Sequence, residues 1–463
     1  MSTTRFKFET FDALPSPWAG DVLSAIRESV AALGEPLIVL DDDPTGTQTV
    51  YDLPVLTCWD VDVLKAEFDS GASCFYILTN SRSLTADRAE ALNREVAANL
   101  KVAASGRAFH VVSRSDSTLR GHYPLETDVL NEEIGPFDGF VLIPYFEAGG
   151  RYTIEDEHYV AEGDSLVPAS ETPFAKDAVF GYSHSNLKDW VEEKTEGRIN
   201  KDQVHSVSIS LLRDGGPDVV SALLDELKDG AVLIVNAACP QDLNVFVAGL
   251  LKSLRSGKRF LFRTGAQLVS AFLGLEPRLF EPGPRRTGQG GLLVAGSYVP
   301  KTSAQLDHLF AHGDMRMVQL QVPMLLEQAE QELSSVSTEI NELLAEGCDV
   351  VLYTSRDLVT GDSAEQNLAI GVKVSDALVF VVKSLTECPR FLIAKGGITS
   401  SDVACHGLGI KRAMVLGALL PGVPVWQCGT ETRFPDLPYI VFPGNVGGDD
   451  ALTLAVQKFS TSQ

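Results

Sequence analysis

Short runs of Val, Ile, Leu and Phe recur along this chain at 37–40, 74–78, 108–112, 139–143, 204–209, 232–235 and 259–262, most separated by stretches of helical periodicity such as 86–100. Strands alternating with helices imply parallel pairing, so the pattern predicts an α/β fold. The alternation resumes at 292–295, 317–321, 350–353, 391–394, 413–416 and 439–442. Nearly every early run ends in polar or glycine-rich residues: Asp41-Asp42-Asp43, Thr79-Asn80-Ser81-Arg82, Ser113-Arg114-Ser115-Asp116, Asn236-Ala237 and Arg263-Thr264-Gly265. Ligands of doubly wound sheets bind beyond the carboxyl ends of the strands, so this clustering predicts one site in the N-terminal half.

A chain of 463 residues with 44% apolar side chains can bury more than one core. Residues 281–290 are dense in Pro and Gly and lack periodicity, which marks a boundary. The expected organisation is a helical lead-in at 1–34, an α/β domain at 35–280, a linker at 281–290 and a second α/β domain at 291–463. Each domain is expected to be a mostly parallel sheet flanked by helices, with the active site in the interdomain cleft. Residues 145–185 form a Gly/Tyr/His/Pro-rich stretch longer than an ordinary connection, which predicts a functional loop or lid.

Charge narrows the partners. A formal charge of −24 argues against nucleic-acid or anionic-membrane surfaces, so an anionic substrate must meet a local basic cluster. The N-terminus lacks an apolar signal core, and the longest apolar stretch, 413–426, is broken by Pro421 and Pro424, so no membrane role and a cytoplasmic location are expected. Seven scattered cysteines without C-x-x-C spacing read as reduced, mostly buried thiols. His110, His122, His158 and His184 stand at no metal-ligand spacing, and the metal ligands are left unassigned.

Several segments carry candidate chemistry. Asp41-Asp42-Asp43-Pro44-Thr45-Gly46 follows an apolar run, where adjacent carboxylates are tolerable in solvent, beside a cation, or beside a hydroxyl to be deprotonated. Strand alternation would put Asp41 and Asp43 on one side and Asp42 on the other. Ser115-Asp116-Ser117-Thr118-Leu119-Arg120 follows another run into an expected helix, and reads as either a capping box or a ligand site. With Arg114 and Arg82 it offers guanidinium forks for a carboxylate and polar groups for hydroxyls. Gly396-Gly397-Ile398-Thr399 and Gly444-Asn445-Val446-Gly447-Gly448 each stand between a run and a helix, where unpaired amides and the helix dipole can hold phosphate oxygens. Neither fits the P-loop or the G-x-G-x-x-G spacing.

Together, Asp42-Asp43-Pro44-Thr45-Gly46, Ser115 to Gly121, Gly396 to Thr399 and Pro443 to Gly448 resemble the four-carbon acid sugar kinase family, in an order that covers nearly the whole chain. The resemblance implies an N-terminal sugar-acid domain, a C-terminal nucleotide domain, and ATP-dependent phosphorylation of threonate, erythronate or 3-oxo-tetronate. It implies Asp43, Asp42 and Asp116 as catalytic candidates, and Thr45, Gly46, Arg82, Ser115, Ser117 and Arg120 around the sugar acid. Ser297, Gly396, Gly397, Ile398, Thr399, Gly444, Asn445 and Gly447 would contact ATP, with Mg2+ bridging its phosphates and a homodimer as the assembly. The chain departs from shorter members at Pro44, Ile398 and Val446, and carries the 145–185 stretch in addition. Asp41-x-Asp43-x-Thr45 also fits the opening motif of haloacid dehalogenase-like sugar phosphatases, with Asp41 as nucleophile and Asp43 as acid/base. A non-catalytic sugar-acid sensor is the third reading, and it lacks a basic recognition helix.

Overall fold

The computed structural model describes residues 4–283, 289–297, 299–356, 359 and 363–460. Residues 284–288 of the expected linker, and Tyr298, lie outside the described residues. The chain divides into two compact units, residues 1–50 with 58–277 and residues 51–57 with 278–463. Residues 51–57, expected within 35–280, thus sit with the second unit, because Leu53–Leu56 pairs antiparallel with Arg412–Leu420.

Seven parallel strands form the main sheet of the first unit, in the order His205–Val207, Ala231–Val235, Gly139–Ile143, Phe260–Thr264, His110–Arg114, Leu37–Asp41 and Cys74–Leu78. The central strands are buried on both faces, which explains why they read as continuous apolar runs. From Leu37–Asp41 the chain passes to Cys74–Leu78 on one side and then returns to His110–Arg114 on the other. Such a reversal opens a crevice beyond the strand ends. Asp41 and Arg114 face each other there in register.

The 145–185 stretch is not a structureless connection. Arg151–Ile154, Glu157–Glu162 and Ser165–Pro168 form an antiparallel meander, and Arg5–Phe6 pairs with its last strand. Glu155 and Asp156, which join the first two strands, both adopt left-handed φ of 54° and 65°. That mirror-image turn matches the twist of a tight hairpin. The signal was the apolar alternation at Tyr152, Ile154 and Val160, hidden among polar neighbours. The meander fastens the segment that follows His110–Arg114: His158 Nε2 lies 2.8 Å from the Ser117 carbonyl, and Tyr182 donates to the Thr118 carbonyl at 2.8 Å.

In the second unit, Arg316–Leu320, Val350–Thr354, Leu292–Ala295, Leu392–Lys395 and Pro438–Phe442 are parallel. Val423–Cys428, Arg412–Leu420 and Leu53–Leu56 extend them in antiparallel fashion. The apolar stretch 413–426 is therefore a hairpin, with Pro421-Gly422 at its turn. Leu293, Ile393, Phe391, Phe442 and Phe459 lie in one core beneath this sheet. No helix among the described residues is long and apolar enough to cross a membrane. The seven cysteines form no disulfide among the described residues; Cys74 and Cys428 are buried and the other five are half-buried, fewer than the expected buried majority.

Burial draws the His158 pKa down from the ordinary 6.5 to about 4, with Arg151 adding to the effect against the Ser117 bond. Its neutral ring therefore contributes stability that is complete above about pH 6.5 and is lost as pH falls toward 4, because the unfolded chain binds the proton first. Replacing His158 with Gln is expected to remove about one proton from the slope of stability against pH in that window, roughly 1.4 kcal/mol per pH unit. Urea midpoints measured between pH 4.5 and 7 test this, and an unchanged slope would contradict it.

Candidate functional site

The first unit gathers charge at the switch point. The strand stops at Asp41, whose carboxylate is 1% exposed and accepts from Arg114 Nη1 at 2.8 Å. The same Arg114 nitrogen lies 3.4 Å from Asp42 Oδ1, so Asp41 and Asp42 do not face opposite sides as strand alternation predicted. The chain leaves the strand at Asp41 and turns, with the Gly46 amide bonded to the Asp43 carbonyl at 3.1 Å. A side chain at Gly46 would collide with the Asp41 carboxylate, so glycine is required for this turn to close. Burial, helped by Asp42 and Asp43, pushes the Asp41 pKa up to about 7 against the pull of Arg114.

Around this pair the remaining candidates assemble. Ser115 Oγ donates to Asp42 Oδ2 at 2.7 Å. Asp43 accepts from the Thr45 amide at 2.8 Å and from the Thr45 hydroxyl, and it pairs with Arg82. Arg82 also lies 3.8 Å from Asp42 and 3.7 Å from Asp116. Asp116 accepts from Arg120 Nε at 2.7 Å and from the Thr118 hydroxyl. Burial alone would raise the pKa of Asp43, but Arg82 and Arg114 outweigh it and hold that carboxyl below its ordinary value. At Asp116, Arg82 and Arg120 likewise overcome burial and hold the pKa far down. Both are anions at neutral pH. The expected helix does not begin until Leu125, so Asp116 caps nothing. Ser117 enters differently, through its carbonyl bond to His158.

Sequence reasoning quoted two further residues of this cluster without giving either a role. Arg263, at the end of Phe260–Thr264, is 6% exposed and reaches the Arg120 carbonyl at 3.2 Å. Gly121, with φ of 120°, passes so close that an added Cβ would lie 2.6 Å from Ser115 Oγ and 3.1 Å from Arg263 Nη2. Arg263 was visible only as a polar strand end.

The second unit holds a cavity of about 590 Å³. One wall is apolar, with Val299, Val322, Ile370, Val374 and Leu378; the last three recur at helical spacing along Ala364–Lys383. The other wall is Ser297, Gly396, Gly397, Ile398, Thr399, Gly444 and Asn445. Gly396 has φ of 103°, which lets Leu392–Lys395 turn directly into the helix Gly397–Asp402. The first backbone bond of that turn is from the Ser400 amide to the Gly396 carbonyl at 2.8 Å, leaving earlier amides for a ligand.

Two buried side chains that the sequence reading passed over tie down the carbonyls of the second glycine-rich turn. Lys395 donates to the Pro443 and Gly444 carbonyls at 2.7 and 2.9 Å, and Gln305 to those of Val446 and Gly448 at 3.0 and 2.8 Å. Burial, with Lys301 nearby, lowers the Lys395 pKa to about 7. Gly447 does not line the cavity; its φ of 84° and its approach to the Ala451 methyl give it a backbone role.

Among the described residues no group of three or more His, Cys, Asp or Glu is placed to hold a metal ion. Among the described residues the cavity wall carries no carboxylate. These residues do not build a resident magnesium site; an ion held mainly by phosphate oxygens and water would enter with the nucleotide as part of the substrate.

One unit thus carries a charged cluster at parallel strand ends and the other a glycine-lined cavity. Residues 37–272 match the sugar-binding N-terminal domain family, and residues 292–452 match the nucleotide-binding C-terminal domain family. The chain belongs to the four-carbon acid sugar kinase family. It is 27% identical over 434 residues to D-threonate kinase of Salmonella typhimurium, covering 90% of this chain and 96% of that one. It is 24% identical over 404 residues to D-erythronate kinase of Heliobacterium modesticaldum, covering 83% and 87%. A solved Haemophilus influenzae protein shares the fold, with a TM-score of 0.64 at 18% identity over 91% of this chain and all of that one. A Salmonella typhimurium structure does so with a TM-score of 0.68 at 17% identity, over 92% and 99%.

Arg114 compensates the buried Asp41, so Arg114→Met is expected to cost about 3–5 kcal/mol of stability. Adding Asp41→Asn should recover part of that loss, because the stranded charge goes with it. Denaturant titration of the two single variants and the double variant reads this directly; simple additivity would contradict the pairing.

Proposed function

We propose that the protein is an ATP-dependent kinase that phosphorylates a hydroxyl of a four-carbon sugar acid such as threonate, erythronate or 3-oxo-tetronate. The observation that carries this reading is the glycine-lined cavity of the second unit, with its apolar wall, in a chain whose first unit holds paired aspartates and arginines at strand ends. In this reading the amides of Gly397, Ile398 and Thr399, with Ser297, Gly444 and Asn445, hold the phosphates, and the apolar wall takes the base.

Phosphoryl transfer demands positioning and charge neutralisation more than a strong base. Asp43 and Asp116, held anionic by Arg82 and Arg120, suit that role. Asp43 would accept a hydrogen bond from the reacting hydroxyl and orient it, with Asp42 fixing Ser115 beside it and Thr45, Gly46 and Ser117 shaping the turns. Arg82 and Arg120 would offset the charge of the substrates. A phosphatase using Asp41 as nucleophile is disfavoured, since that carboxylate is buried against Arg114 and closed off by the Gly46 turn.

A coupled ADP-release screen of four-carbon sugar acids with magnesium and ATP tests the reaction. Turnover with at least one acid is expected, while phosphate release from a sugar phosphate without ATP would overturn the reading. Asp43→Asn should lower kcat by about 10²–10⁴-fold with ATP affinity nearly unchanged. Gly396→Val, forced into a left-handed φ, should weaken ATP binding instead. The reverse pattern would contradict the assignment of the two substrates to the two units.

A further inference from the structure

Most arginines at the first unit's site are already engaged. Arg114 is paired with Asp41, Arg82 with Asp43, and Arg120 with Asp116 and, at 3.6 Å, Asp177. Arg263 is different: no carboxylate among the described residues comes within ion-pair distance, and its one hydrogen bond, from Nη2, goes to the Arg120 carbonyl. Its Nε and Nη1 are buried without a partner. A desolvated guanidinium in that state is costly to the folded chain.

The unpartnered atoms converge. Arg263, Trp190 and Thr264 line one cavity of about 20 Å³ beside Asp116, and Trp190 Nε1 and Thr264 Oγ1 are themselves buried without partners. The Arg263 guanidinium and Trp190 thus border a space fit for one or two oxygen atoms, too small for a sugar chain. Its other walls are apolar, Leu119 and Leu142 among them. The one acid there, Asp116, already has its charge countered by Arg120 and Arg82. Stacking of Trp190 on Tyr123 at 4.7 Å, with the Arg263 guanidinium 5.8 Å from the Tyr123 ring, holds the donor set in place.

Resting on the sugar-acid reading above, we infer that Arg263, beside Trp190, is the subsite for the substrate's carboxylate and so selects acids over neutral sugars of the same length. A carboxylate is the group that answers a buried guanidinium with two unpartnered nitrogens, and burial makes such a charge-assisted contact strong. Arg82 and Arg120 are then left to offset charge near the reacting hydroxyl.

Calorimetric titration of the full-length protein without nucleotide tests this, using threonate and erythronate against their neutral amides, for wild type, Arg263→Met and Arg263→Lys. Wild type should prefer acid to amide. Arg263→Met should lose at least about 30-fold in acid affinity, with amide affinity unchanged and Arg263→Lys intermediate. The ligand-free Arg263→Met protein should melt at or above the wild-type temperature, because a buried guanidinium without an ion-pair partner has been removed. Unchanged acid affinity, or equal loss for acid and amide with a lower melting temperature, would overturn the inference. Acid binding that depends on Arg263 without ADP release from ATP would sink the kinase reading and leave the subsite standing. ADP release unaffected in Arg263→Met would do the opposite.

Discussion

The ion pair between Asp41 and Arg114 joins the carboxyl ends of two neighbouring parallel strands at the point where the sheet reverses its winding, and the first unit's site is placed from it. One guanidinium makes three successive aspartates tolerable, since Arg114 reaches Asp41, Asp42 and the Asp43 carbonyl. Arg82 then links Asp42 and Asp43 to Asp116 on the next segment. The result is a set of carboxylates with opposite tendencies. Asp41, behind the site, is pushed toward neutrality by burial, while Asp43 and Asp116, at its surface, are held as anions by arginines. In the proposed reading, a site that orients a hydroxyl benefits from fixed charges whose state does not change near neutral pH.

The second unit solves a different problem by a different means. Among the described residues its cavity wall carries no cationic side chain, so in the proposed reading recognition of phosphate oxygens falls to backbone amides at glycine-rich turns. Such turns recognise a ligand only if their carbonyls are occupied elsewhere. Lys395 and Gln305 meet that need from the buried side, taking four carbonyls of 443–448 between them. The lysine therefore shapes the loop that lines the cavity, with its amine turned toward the protein interior.

Much of this was legible in the sequence because parallel strands buried on both faces leave unbroken apolar runs, and because their polar ends mark the ligand side. The aspartate and glycine motifs lie where those runs stop, and the resemblance carried by them gave the family. What stayed hidden depends on contacts distant in sequence. The pairing of Leu53–Leu56 with Arg412–Leu420 transfers residues 51–57 to the second unit, and no local pattern announces it. The meander at 151–168 was masked because buried polar residues, Thr153 and His158, interrupt its apolar pattern. Arg263 looked like any other polar strand end, since its lack of a partner exists only once the fold removes water and other carboxylates from it. Lys395 and Gln305 read as ordinary helix and strand residues until the carbonyls they serve are brought beside them.

The claim on which the rest depends is that main-chain amides at Gly396–Thr399 and the Gly444 turn grip the phosphates, in a unit separate from the aspartate–arginine cluster. A crystal structure of the full chain with a non-hydrolysable ATP analogue measures this most directly. Phosphate oxygens within hydrogen-bonding distance of the Gly397, Ile398 and Thr399 amides, with the base against Val374 and Leu378, are the expected result. A nucleotide bound away from those turns, or with its phosphates held by the arginines of the first unit, would contradict it.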